Sequence, residues 1–142
     1  MATIQSFEEI ESWKKAREIC RILGKYVDEG RFKNSYRLIH QIEGSSGSIM
    51  DNIAEGFERG TKGEFITFLG YAKGSCGELR SQLYRAMDRK FILQEEFNMI
   101  QELVLQISGL LQNFISYLQK TEIQGIRKKS EVKNIKLQTL NF

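Results

Sequence analysis

The feature that most constrains the fold of this chain is a set of apolar stripes with helical spacing in a sequence that contains no proline. In four long segments, apolar residues recur three or four positions apart, which is the spacing of one face of an α-helix. Proline breaks helix interiors, so its absence favours long continuous helices over a turn-rich β fold. With 142 residues the chain is long enough for one domain with a substantial core.

The stripes and the residues that flank them predict four helices. Ser6 with Glu9, and Thr61 with Glu64, have the spacing of capping boxes at helix starts. The predicted helices cover about 7–28, 35 to 54 or 56, 62–86 and 94–121. Short connections force adjacent helices to run antiparallel. We therefore predict an all-α fold, an antiparallel up-down-up-down four-helix bundle over residues 1–121, with a basic C-terminal tail over 122–142.

Small residues are concentrated in the second and third predicted helices. A glycine in a helix interior costs about 1 kcal/mol relative to alanine, so several of them require an offsetting gain. An antiparallel hairpin of these helices about residues 60 and 61 would place Gly47 opposite Gly74. We therefore expect the two backbones to pack closely at Gly44, Gly47, Gly70, Gly74 and Gly77. Alternatively, the same small face contacts another subunit.

The net charge of +3 lies in the predicted tail. Residues 1–121 contain sixteen basic and sixteen acidic residues, whereas residues 122–142 contain five basic and two acidic ones. The tail is either a solvated terminus or a segment that folds on contact with a partner. Nucleic-acid binding through it would depend steeply on salt. The candidates for such contacts are Arg127, Lys128, Lys129, Lys133 and Lys136.

The sequence contains no recognisable catalytic constellation or metal site. The single histidine, His40, precedes Glu43 by three positions, which reverses the Glu-x-x-His order of di-metal bundle sites. Cys20 and Cys76 fall on apolar stripes, where a reduced cysteine behaves as a small hydrophobe. We therefore expect no enzymatic activity, metal, cofactor or small-molecule substrate. No secretory segment and no membrane-length apolar run is evident, which predicts a cytoplasmic protein with no membrane association.

The polar residues that we expect to matter lie at the end of the second helix. Glu55 and Arg59 are four positions apart, so they are neighbours if the helix extends that far. With Asn52, they are predicted to hold the helix end and its loop or to take part in subunit docking. Acid–base use of the carboxylates is the alternative.

The central motif resembles a known family. The residues that carry the resemblance are Phe7, Trp13, Ala16, Gln41, 45–49, 52–59, Glu64, Phe65, Phe68, Leu69, 72–75, Glu78 and Leu79. They are similar to those of the four-helix-bundle proteins first noticed in intervening sequences of bacterial 23S ribosomal RNA genes. The resemblance covers roughly residues 5–120.

This resemblance implies a bacterial, cytoplasmic, non-enzymatic protein that assembles as a ring-like homopentamer. A distant relative of the family is the accessory protein of diversity-generating retroelements, a basic pentamer that binds reverse transcriptase and nucleic acid. The first hypothesis is therefore a homo-oligomeric scaffold or accessory protein, associated with RNA or a protein partner. The alternative is an accessory module that binds nucleic acid or reverse transcriptase through basic residues.

Overall fold

A computed structural model describes residues 4–121 and Phe142, and its four long helices confirm the all-α prediction. The helices are α1 (Glu11–Asp28), α2 (Tyr36–Arg59), α3 (Lys62–Asp88) and α4 (Gln94–Lys120), preceded by a short 3-10 helix (Phe7–Glu9). No strand occurs among the described residues. Both α1 and α3 pack against α2 and α4, so the four helices enclose one core as a bundle.

Side-chain contacts show that α2 and α3 run antiparallel. The Ser75 hydroxyl donates to Ser48 Oγ at 2.9 Å, and the Ser45 hydroxyl donates to Gln82 Oε1 at 2.6 Å. Residues with lower numbers on α2 are therefore paired with residues that have higher numbers on α3. This order agrees with the predicted hairpin about residues 60 and 61.

Ring contacts show the same relation between α3 and α4. The ring centroids of Phe65 and Phe114 lie 5.0 Å apart, and those of Tyr84 and Phe97 lie 4.9 Å apart. These two helices are therefore also antiparallel. The up-down-up-down order of the whole bundle also depends on the direction of α1 relative to α2, so this order stays a prediction.

The helix ends differ from the predicted ones at two places. The Glu9 carboxylate accepts hydrogen bonds from the amides of Gln5 at 2.6 Å and Ser6 at 3.4 Å, but it caps the 3-10 helix. Ile10 then adopts an extended conformation, so α1 begins at Glu11 and not near Phe7. α2 continues to Arg59, beyond the predicted end, because Gly60 terminates it in the left-handed region at φ +83°.

Aromatic residues from two connections cover one end of the core. Phe32 and Phe91 are buried, and their ring centroids lie 5.7 Å apart. Ile92 is buried beside them in the same core cluster. These three apolar residues therefore close this end of the bundle.

The prediction that α2 and α3 pack closely at these five glycines is wrong. A Cβ added at Gly44, Gly47, Gly70, Gly74 or Gly77 would meet no heavy atom of residues 4–121 or Phe142 within 4 Å. Each of Gly44, Gly47 and Gly74 precedes one of the serines of the helix interface. One residue turns an α-helix by about 100°, so glycines that adjoin the interface residues in sequence lie outside the interface.

The close approach between α2 and α3 occurs instead at Gly56, a buried residue. A Cβ at this position would lie 2.7 Å from the Cβ of Phe68 and 3.1 Å from the ring of Phe65. Phe68 Cβ is attached directly to the α3 backbone and cannot move without it. The absence of a side chain at Gly56 therefore sets how near the two helices come.

A charged cluster joins the end of α1 to the start of α4. The Arg31 guanidinium donates to the Glu96 carboxylate and lies 4.3 Å from the centroid of the Tyr26 ring. Glu96 also accepts a hydrogen bond from the Leu93 amide at 2.8 Å. The hydrogen bond from Arg31 is the main reason that the pKa of Glu96 lies below its ordinary value.

Phe142 is the one residue of the predicted tail that the structure describes, and it packs on the bundle. Its ring centroid lies 4.9 Å from that of Phe114 and 5.2 Å from that of Tyr117. Its carbonyl oxygen accepts a hydrogen bond from the Ser12 amide at 3.0 Å. The N-cap of α1 is Ile10, which has no side-chain acceptor, so Phe142 satisfies an amide that the first turn leaves open.

We predict opposite effects of alanine at two glycines of α2. Gly56→Ala should lower the free energy of unfolding by about 1–3 kcal/mol because its methyl group overlaps Phe68. Gly44→Ala, where the added Cβ meets open space, should raise it by about 1 kcal/mol through helix propensity. Urea denaturation of the two variants measures both effects, and a stabilising Gly56→Ala would contradict the close approach.

We predict that the free energy of unfolding falls at acid pH because protonation of Glu96 removes its stabilising contribution. Its pKa is lower in the folded chain than the ordinary value of 4.5, so its contribution is complete above about pH 4.5 and is lost as the pH falls through the folded value. Glu96→Gln should cost about 1 kcal/mol at pH 7 and less below pH 4. Urea denaturation at several pH values measures this, with Glu95→Gln, an exposed neighbour, as the control. A pH-independent difference would contradict it.

Candidate subunit interface

At the end of α2, one arginine bridges two helices across their connection. Arg59 Nη2 donates to Glu55 Oε1 at 2.9 Å, and Nη1 lies 3.5 Å from Glu64 Oε2 on α3. These carboxylates raise the pKa of Arg59, chiefly through the hydrogen bond to Glu55. The guanidinium also lies 5.1 Å from the centroid of the Phe68 ring. Arg59 therefore ties the last turn of α2 to the first turn of α3.

The connection itself is fixed by the predicted capping box. Thr61 Oγ1 accepts a hydrogen bond from the Glu64 amide at 3.3 Å and lies 3.0 Å from Glu64 Oε1. Glu64 thus serves both the cap and Arg59. Arg59 contacts the carboxylates of both Glu55 and Glu64. This geometry supports the predicted role of Glu55 and Arg59 in holding the loop, and it does not favour acid–base use of the carboxylates. Subunit docking through it stays a prediction.

Asn52 lies apart from this pair, although the sequence analysis grouped the three residues. Its amide nitrogen donates to Ser48 Oγ and to the Ser48 carbonyl, both at 2.8 Å. Ser48 Oγ in turn accepts from Ser75 on α3 at 2.9 Å. Asn52 therefore belongs to a line of hydrogen bonds between α2 and α3, which we call the polar seam: Gln41, Ser45, Ser48, Asn52, Ser75, Gln82 and Arg85.

The polar seam continues toward the other end of α2. Ser45 and Gln82 are only 6% and 7% exposed, and they share the hydrogen bond of 2.6 Å. Further along, Arg85 Nη2 donates to Gln41 Oε1 at 2.8 Å. Gln82 was not among the residues predicted from the sequence to matter. The available signal was that Ser75 and Gln82 are polar residues seven positions apart at stripe positions of α3.

The outward face of α3 is a row of small residues, which we call the small row. Every member is exposed: Gly63, Thr67, Gly70, Gly74, Gly77 and Ser81. They are spaced three or four apart over 18 residues, which is about 27 Å of helix. Gly44 on α2 is exposed as well. Four of the five glycines that were expected inside the bundle are therefore exposed, whereas Gly47 is half-buried.

Two exposed tyrosines of α3 accompany the small row. Tyr71 is 57% exposed and Tyr84 is 51% exposed. The Tyr71 ring packs edge-on against Phe68 at 5.5 Å between centroids, and the Tyr84 ring packs in the same way against Phe97 at 4.9 Å. Both rings are therefore held in place while one side of each stays open. Aromatic side chains of this kind are common anchors of protein interfaces.

The structure shows no reactive thiol at Cys76 and no metal-binding cluster among the described residues. Cys76 is buried in the core, and burial raises the pKa of its thiol to about 12, so it is protonated at neutral pH. Over 4–121 and Phe142, no three His, Cys, Asp or Glu side chains are grouped so that they could hold a metal ion. None of the helices in this part of the chain is both long enough and apolar enough to span a bilayer. Arg127, Lys128, Lys129, Lys133 and Lys136 lie outside the described residues.

Comparison with known proteins places this fold in a family. The family model described as the 23S rRNA-intervening sequence protein matches residues 8–113. The chain belongs to this family. The match runs from the 3-10 helix through most of α4, so it includes the small row, the polar seam and the Arg59 bridge. A search of curated proteins finds no match to the chain.

We predict that the polar seam stabilises the bundle through Gln82. Gln82→Ala removes the partner of Ser45 and leaves a cavity between α2 and α3, so the free energy of unfolding should fall by about 2 kcal/mol. The same change at Gln106, which is exposed on α4, should have an effect below about 0.5 kcal/mol. Chemical denaturation compares the two variants, and equal effects would contradict a stabilising seam.

Proposed function

We propose that this protein is a non-enzymatic scaffold or accessory protein that assembles into a homo-oligomer through the small row of α3. The observation that carries the proposal is that this row is exposed along about 27 Å of helix and is flanked by two ordered tyrosine rings. Membership of the intervening-sequence family supports a helical-bundle protein of this kind. The ring-like homopentamer implied by the sequence resemblance is the assembly that we propose.

The energetic cost of the small row supports a partner outside the chain. Gly70, Gly74 and Gly77 lie in the interior of α3, where each costs about 1 kcal/mol relative to alanine. No atom of the described residues lies within 4 Å of a Cβ at these positions, so no contact with this part of the chain offsets the cost. A helix of a neighbouring subunit can approach such a surface more closely than the usual 8–10 Å between helix axes. Burial of this surface in an assembly would offset the free-energy cost of the glycines.

A ring with five subunits restricts which surfaces meet. Its interfaces are heterologous, because an odd ring cannot be built from a patch that pairs with itself. The small row would therefore contact a different face of the neighbouring subunit. Tyr71 and Tyr84 would supply the apolar anchors at its border.

The tightly engaged polar groups support a scaffold and not an enzyme. Glu55 and Glu64 are both bound by Arg59, and the Cys76 thiol is protonated at neutral pH. We infer that the polar residues at the end of α2 maintain the hairpin of α2 and α3. A cytoplasmic location and an association with RNA or a protein partner belong to the same proposal.

Light scattering of the purified protein tests the assembly. We expect a stable oligomer of the 16.5 kDa chain at micromolar concentration. Gly74→Leu should lower its mass because the new side chain fills the surface that the neighbour contacts. Gly109→Leu is the matched control, since Gly109 is also exposed on a helix with open space around its Cβ.

Two outcomes would contradict the proposed assembly. One is a wild-type protein that is monomeric at micromolar concentration. The other is an equal effect of Gly74→Leu and Gly109→Leu on the mass. Thermal unfolding of both variants checks that the helices remain folded, which we expect because a Cβ at either position meets no atom of the described residues within 4 Å.

A further inference from the structure

The outward face of α1 presents a row of four cations. Lys14, Arg17, Arg21 and Lys25 are all exposed and are spaced three, four and four positions apart. They therefore lie along one side of the helix over about 16 Å. Residues 1–121 carry no net charge as a whole, so this face is positive through the arrangement of the fold and not through composition.

The four cations have no ion pair within the described part of the chain. The ion pairs found there join Arg31 to Glu96 and Arg59 to Glu55 and Glu64. Like charges four apart on a helix destabilise it, and Arg17–Arg21 and Arg21–Lys25 are two such pairs. Glu18 and the exposed Asp28, three positions after Lys25, are acidic residues on this side of α1, and with four cations the face keeps a net positive charge. An external anion would relieve this repulsion.

Trp13 adds an aromatic group to the same face. The Arg17 guanidinium lies 5.9 Å from the centroid of the Trp13 ring, and Phe7 holds that ring edge-on at 5.2 Å. Trp13, Lys14, Arg17, Glu18 and Arg21 line a groove of about 310 Å³. A cationic groove with an ordered aromatic ring is the combination that binds single-stranded nucleic acid, through phosphates and base stacking.

We propose that this face of α1 binds the backbone of single-stranded RNA, with the four cations contacting successive phosphates and Trp13 contacting a base. A single row of cations matches one strand, because neighbouring side chains on a helix face are about 5–6 Å apart, close to the separation of successive phosphates. The site lies in the helical body and is distinct from the basic residues of 122–142. It rests on the association with RNA in the proposed function, for which it specifies a site, and it does not depend on the small row.

Fluorescence measurements on the full chain test this site. The probe is a fluorescein-labelled single-stranded RNA of 12 uridines, titrated at several salt concentrations. Trp13 is the single tryptophan of the chain, so its intrinsic fluorescence, measured with unlabelled RNA, reports contact at α1 directly. We expect binding to quench this fluorescence and to weaken steeply as salt increases.

A charge-matched pair of variants separates α1 from the rest of the surface. Arg17→Gln with Arg21→Gln should reduce affinity about tenfold and make the salt slope shallower by about 1.4, since each phosphate contact with a single strand contributes about 0.7. Arg37→Gln with Lys120→Gln removes the same charge from exposed positions on α2 and α4. That control should change affinity less than about twofold, the effect of a general charge loss.

Four outcomes would overturn the site. The first is no binding of the RNA at 50 mM salt and micromolar protein, a condition that favours phosphate contacts. The second is an equal loss in the α1 variant and its control. The third is a loss on Lys128→Gln with Lys129→Gln while the α1 variant binds normally, which would place the site in 122–142. The fourth is equally tight binding of a polyglutamate of matched length, which would indicate an acidic protein partner.

Discussion

The structure depends on how α2 and α3 pair. Their interface combines apolar side chains with the polar seam, in which Ser45 is bonded to Gln82 and Ser48 to Ser75. Buried polar groups are costly unless they are hydrogen-bonded, and these partners meet in only one register of the two helices. The seam therefore selects both the register and the faces that are buried. Gly56 then allows α3 to approach where the two helices converge.

The choice of buried face has a direct consequence for the outside of the bundle. Because Ser45 and Ser75 point inward, the adjoining glycines of both helices point away from the interface. The same rotation places the small row of α3 at the surface between the rings of Tyr71 and Tyr84. The exposure of the surface proposed for assembly therefore follows from the hydrogen bonds inside the α2–α3 interface.

Charge is distributed by the fold in a comparable way. Arg59 and Arg31 are each bound by carboxylates that hold connections between helices. The cations along α1 are left without such partners over the described residues, and they lie beside Trp13. Arg31 and Arg59 therefore stabilise the bundle ends, whereas the four cations of α1 form the face proposed to bind RNA. Neither group is distinguished by composition, since the body has no net charge.

Sequence reasoning was sufficient for the helices because their signals are local. Apolar spacing and the Thr61–Glu64 capping box depend on neighbours along one helix or one turn, and the structure confirms them. The family resemblance likewise rested on a continuous motif.

The orientation of each helix about its own axis could not be predicted, because it depends on which residues meet across the core. Gly44 and Ser45 are adjacent, and the packing of α2 against α3, which brings Gln82 from 37 positions away to Ser45, decides that the serine is buried. The contact of Phe142 with Ser12 and the pairing of Arg31 with Glu96 join residues that are even farther apart in sequence. Helical periodicity carries no information about such partners, because they are set by the packing of the whole chain.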